Sequence, residues 1–260
     1  MEGAFCVPKH TEDRPRSDDL RDHVAKCGNL EYTEVGPLYT LNMQRDIPFS
    51  VGEIFHVYNR GANKMTIYES ETDYVRFLHL LYLCNQKIPT QLGNLTRNER
   101  GRSSVYSMVR GGPIVDVLAY CLMPNHFHLV LRECGEGGIS EFMKKVATGY
   151  SMYFNHSRER TGTLFQGRFK AKHVGTDAYF NHIFSYVHLN PAELSFGEWQ
   201  TRVQEIKPLV ANFVLEYPYS SCKDHFGHSR LESVILTLDD TLGWKERIQT
   251  PNDMFNFLEP

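Results

Sequence analysis

The chain has 260 residues, a formal net charge of −3 and a hydrophobic fraction of 41%. That length supports one sizeable core, alone or with appendages, and the charge excludes a chain that is basic throughout, so any nucleic-acid footprint has to be local. No apolar run approaches the roughly 18 residues of a membrane span, the N-terminus lacks the greasy middle of a secretion signal, and six cysteines without a CxxC pair fit reduced thiols in a cytoplasmic protein better than a zinc cluster.

Residues 1–48 are polar and proline-dotted and read as an N-terminal extension that is partly disordered. From Glu53 the pattern sharpens. EIFHVYNRG (53–61) reads as a strand, and TDYVRFLHLLYLC (72–84) as a helix with Thr72 as its cap. Residues 85–113 look like loop and contribute Arg97, Arg100, Arg102 and Arg110. IVDVLAYCLM (114–123) is a second strand, Pro124-Asn125 a turn and HFHLVLRE (126–133) a third strand. A long helix is expected over 137–157 with Ser140 as a candidate cap, then extended chain over GTLFQGRFKAKHV (162–174). A further helix should run from Thr176 to Leu189 and stop at Asn190-Pro191. Strands and helices alternate without the glycine loop of a nucleotide-binding unit, which favours an α+β domain with an antiparallel sheet.

Three features carry chemistry. His126 and His128 flank Phe127 on a strand, so the two imidazoles share one face. Two desolvated rings side by side need partners, and one shared metal ion serves both; the plain alternative is two rings satisfied by backbone groups. His182, Tyr186 and Asn190 fall four residues apart on the late helix and therefore line one of its faces, as an ordinary polar stripe also would. Lys144, Lys145, Arg158, Arg160, Arg168, Lys170, Lys172 and His173 concentrate positive charge among aromatic residues such as Tyr150, Tyr153, Phe165 and Phe169. That mixture suits single-stranded nucleic acid, whose phosphates attract cations and whose bases stack on rings; a solvated helix face over core aromatics would look similar.

FHVYNRGANK (55–64), AYCLMPNHFHLVL (119–131), GTLFQGRFKAKHV (162–174) and YVHLNP (186–191) together resemble the REP-associated tyrosine transposases, a branch of the single-tyrosine HUH transposases. The resemblance spans roughly residues 50–195 and implies a ferredoxin-like or RRM-like HUH endonuclease fold. It divides the chain into the extension 1–48, a catalytic domain 49–200 and a C-terminal extension 201–260. By position it implies that His126 and His128 bind a divalent cation, Mg2+ or Mn2+, that Asn190 supplies the third ligand, and that Tyr186 is the nucleophile. Arg60, within the first matching segment, joins the basic residues as an expected DNA contact. The implied substrate is single-stranded DNA bearing hairpins, cleaved through a 5′-phosphotyrosine and rejoined by a monomer or homodimer. Three other readings stay open: a domesticated protein that binds hairpins without cutting, a hydrolase that adds a carboxylate such as Asp116 to the histidine pair, and an ordinary interaction domain whose histidines belong to the core.

Overall fold

The computed structural model describes residues 48–88, 102–238 and 243–258. The N-terminal extension, Arg97 and Arg100 lie outside the described residues. Four strands, β1 (Ile54–Arg60), β2 (Val115–Met123), β3 (His126–Glu133) and β4 (Lys170–His173), form an antiparallel sheet in the order β2-β3-β1-β4. The longer helices are α1 (Glu71–Leu83), α2 (Gly138–Ser157), α3 (Asp177–Leu189) and α4 (Val203–Glu216). Through β4 the chain runs βαββαβ, with β3 inserted between β1 and β2, which is the ferredoxin-like arrangement of an α+β domain.

Alternation along β3 assigns the two faces of the sheet. Phe127 points to one side and meets Phe77 of α1, which in turn meets Tyr150 of α2. His126 and His128 point to the other side, where Tyr186 of α3 packs on His128. The sheet therefore has helices on both faces. Phe77, Phe127, Leu129, Phe142 and Tyr150 are essentially sealed from solvent, and each such side chain contributes about 1.5–3 kcal/mol by leaving water.

Helix starts differ from expectation for specific reasons. The cap of α1 is Ser70 rather than Thr72, because the Asp73 carboxylate accepts from the Ser70 amide at 2.9 Å and from its hydroxyl at 3.1 Å. Ser140 does not cap α2. The Glu133 carboxylate at the end of β3 accepts from the amides of Gly138 and Ile139, both at 2.8 Å, while Gly137 takes a left-handed φ of 75° that glycine alone adopts cheaply. Thr176 does cap α3, its Oγ1 accepting from the Tyr179 amide at 3.2 Å. Asn190-Pro191 ends α3 as expected, the helix closing at Leu189; residues Asn190–Ala192 then form a 3-10 turn that leads into a short helix, Glu193–Phe196. A proline early in a new helical segment gives up an amide that has no partner there anyway. Within 162–174 only Lys170–His173 is a strand, and a short helix, Arg102–Tyr106, interrupts the expected loop.

The C-terminal portion is built into the same core. Leu122 donates to the Tyr219 carbonyl and Ser221 to the Tyr120 carbonyl, both backbone bonds at 2.9 Å, so residues 219–221 line the outer edge of β2. Tyr219 stacks on Tyr74 with ring centroids 3.7 Å apart, and the Phe257 carbonyl lies 2.9 Å from His182 Nδ1 of α3. No helix among the described residues is long and apolar enough to cross a membrane.

Candidate active site

The β2–β3 turn is pinned before the histidines emerge from it. The carbonyl of Pro124 accepts from Ile67 and Tyr68, and that of Asn125 accepts from Gly61. Strand register then sets the neighbours: Arg60 lies opposite His126, Tyr58 opposite His128, Lys172 opposite His56 and Lys170 opposite Tyr58. Residues directly opposite share a face, so one surface of the sheet carries His126, His128, His56, Tyr58, Arg60, Lys170 and Lys172.

Helix α3 brings its polar stripe to that surface. The Tyr186 ring stands on edge to His128, centroids 5.3 Å apart, and on edge to His56 at 6.0 Å. One turn back, His182 lies nearly parallel to Tyr186 at 6.5 Å. One turn on, Asn190 Oδ1 reaches to 3.3 Å from His126 Nε2. The expected nucleophile, both histidines and the expected third ligand are therefore one cluster.

The hydrogen bonds within the cluster fix which nitrogen is bare. Asn125 donates its amide to the Lys64 carbonyl at 3.3 Å, so the oxygen facing His126 Nδ1 at 2.7 Å must accept and Nδ1 carries the proton. A neutral His126 then presents a lone pair from Nε2 toward the Asn190 oxygen. Burial holds the ring neutral, its pKa lowered to about 4 with Arg60 assisting and Asn190 opposing. His128 is pushed well below its usual value by burial and by its two neighbouring histidines, and its Nε2 is buried with no hydrogen-bond partner in the structure. His56 is lowered to about 3 by burial, then by Lys172 and His182.

This donor set fits a divalent cation. Two neutral imidazoles and a carboxamide oxygen suit Mn2+ or a similar borderline ion, and the buried Nε2 of His128 lacks the partner such an ion would supply. Among the described residues no group of three His, Cys, Asp or Glu side chains forms a metal site; the candidate third donor, Asn190, is an amide. Asp116 takes no part. Its carboxylate pairs with Arg132 at 2.7 Å and accepts from Thr237 at 3.0 Å, four residues along β3 from His128, so it is not the carboxylate that a hydrolase reading would need beside the histidine pair.

The basic residues divide between locations. Lys170 and Lys172 are exposed on the histidine face, and Arg60 beside His126 donates to Gln166 Oε1 at 2.6 Å. Arg168 is exposed just before β4. Lys144 and Lys145 belong to α2, behind the sheet, where Lys145 pairs with Glu141 at 2.6 Å. Arg158 is tied to Glu69 and Asp73, and Arg160 to Asn155 and the Thr163 carbonyl. His173 alternates with Lys172, turns toward Phe55 and pairs with Glu53. Sequence reasoning missed His56 and Tyr58 altogether; the period-two spacing of His56, Tyr58 and Arg60 on one strand was the available signal.

With this geometry in hand, residues 103–190 match the model of the family described as Transposase IS200 like. Over that span, about a third of its length, the chain is similar to IS200-like transposases. The matched segment contains both histidines, Tyr186 and Asn190, and the family is one of DNA-processing enzymes. No curated protein matches the chain. A solved structure of a REP-associated tyrosine transposase bound to a REP hairpin is 13% identical, with a TM-score of 0.44 over 74% of this chain and 90% of that one.

Proposed function

We propose that the protein is an IS200-like transposase acting as a metal-dependent single-strand DNA endonuclease and strand transferase, with hairpin-bearing repeat DNA as its substrate. The observation that carries the reading is the meeting of Tyr186 with His128 and of Asn190 with His126 on one face of the sheet.

In this reading the Tyr186 oxygen attacks the scissile phosphorus. The bond from phosphorus to the 3′ oxygen breaks, the phenolic proton is released, and the departing oxygen takes one up as a 3′-hydroxyl. The 5′ end stays linked to Tyr186, and a 3′-hydroxyl can later reverse the step without ATP. A free phenol has a pKa of about 10 and is a poor nucleophile at neutral pH. A bound divalent cation supplies Lewis acidity toward the phosphate oxygens. His126, His128 and Asn190 would hold it, and Arg60, Lys170 and Lys172 would draw the phosphate backbone across the same face.

The experiment is a denaturing gel of protein incubated with labelled, hairpin-bearing single strands and Mn2+. Wild-type protein should give a DNA-shifted covalent band, and Tyr186→Phe should give none while still binding the hairpin. An adduct formed by Tyr186→Phe removes the nucleophile assignment. A wild-type protein that binds hairpins and forms no adduct turns the reading to the non-cleaving binder.

A further inference from the structure

His56 Nε2 and His128 Nδ1 lie 2.9 Å apart, a buried contact between side chains seventy-two positions apart. Between two neutral imidazoles only one nitrogen of such a pair carries the hydrogen. If His56 donates, His128 accepts at Nδ1 and must keep its own proton on Nε2. That leaves a buried N–H at Nε2 with no partner of its own and blocks the nitrogen from ligation. If His128 donates, its buried Nε2 is bare and able to bind a cation.

We propose that His56 is a positioning residue that accepts the Nδ1 proton of His128 and thereby fixes the ligating tautomer and ring plane of His128. The inference rests on the reading that His126 and His128 hold a cation. Three observations support it. The other histidine is treated the same way, with Asn125 accepting from His126 Nδ1 at 2.7 Å, so both rings are held at Nδ1 and leave Nε2 as the nitrogen for ligation. The β1–β3 ladder sets both backbones, with Val130 opposite His56 and Tyr58 opposite His128. The His56 ring is itself held, lying nearly parallel to Tyr58 at 5.0 Å and edge-on to Tyr186 at 6.0 Å. A metal-bound imidazole whose second nitrogen is anchored is oriented and more basic, and loss of such an anchor typically costs 10- to 100-fold in metal affinity.

The test uses the full chain with 15N-labelled histidine. Two-bond 1H–15N correlation spectra of the metal-free wild type should show His128 protonated at Nδ1, and a His128 protonated at Nε2 overturns the proposal without any variant. His56→Phe keeps a ring but removes the acceptor; His56→Gln restores an acceptor near the former Nε2. Mn2+ titrated by electron paramagnetic resonance should bind about 10- to 100-fold more weakly to His56→Phe, with the affinity largely recovered in His56→Gln. Unchanged Mn2+ affinity in His56→Phe with wild-type hairpin binding and thermal midpoint sinks the proposal, as does equal loss in both variants. A wild type that binds no Mn2+ but shows the Nδ1 tautomer defeats the metal reading while leaving the His56–His128 bond standing.

Discussion

Tyr186 meets the ring of His128 edge-on, with centroids 5.3 Å apart and planes inclined at 83°. The phenol and the imidazole approach each other from different layers, the first on α3 and the second on the sheet. Chemistry at Tyr186 should therefore depend on what the imidazoles hold, whereas DNA binding through the surrounding cations should not.

Removing divalent ions separates the two. A chelator should abolish the covalent adduct and leave hairpin affinity within a few-fold of its original value, and added Mn2+ should restore the adduct. His126→Ala should resist that restoration. Adduct formation that survives exhaustive chelation would contradict the assignment of His126, His128 and Asn190.

The two faces of the sheet give a second expectation. Replacing Lys170 and Lys172 together by alanine should weaken single-strand binding and reduce the slope of log affinity against log salt by roughly 1 to 2. Lys144→Ala, on α2 behind the sheet, should leave that slope unchanged. Equal effects from both would mean that DNA does not follow the histidine face.

A second histidine pair adds to the acid sensitivity that His56, His126 and His128 bring. His188 is buried and His225 half-buried with its ring nitrogens enclosed, their ring centroids 5.1 Å apart, among Phe184, Trp244 and Ser221. Burial lowers His225 to about 4, against opposition from Asp224 and with help from Lys245, and holds His188 well below its usual range. The folded protein keeps these rings neutral while the unfolded chain protonates near 6.5, so stability is complete above that pH and falls as pH drops toward 4. For His225 the loss is about 2 kcal/mol at pH 5 and about 3 kcal/mol at pH 4. Urea denaturation at pH 7 and pH 5 should show it, and His225→Phe should reduce the difference by about 2 kcal/mol, the remainder coming from the other buried histidines.

Glu133 provides a stability test remote from the chemistry. Its two carboxylate oxygens serve two amides of α2. Glu133→Gln leaves one oxygen and no charge, and should cost about 1–3 kcal/mol. Calorimetry should register a lower melting temperature, with hairpin affinity unchanged.

Much of this was legible in the residues. His-Phe-His on an apolar strand announces two rings on one face, and fourfold spacing aligns His182, Tyr186 and Asn190 on a helix. The α+β class follows from the order of elements. His56 was not legible as a partner, because a single histidine in FHVYNRG says nothing until register places it across from β3. The basic run was legible as a cluster but not as a surface: proximity in sequence merges α2 with β4, and only the alternation of Lys170, Lys172 and His173 tells front from back. Ser140 was misleading because the group that caps α2 comes from a strand, a contact that local pattern does not encode.

The bond between His182 and the Phe257 carbonyl spans seventy-five positions. During synthesis the chain therefore acquires the histidine pair, Tyr186 and Asn190 well before it acquires the segment that braces α3 against the sheet.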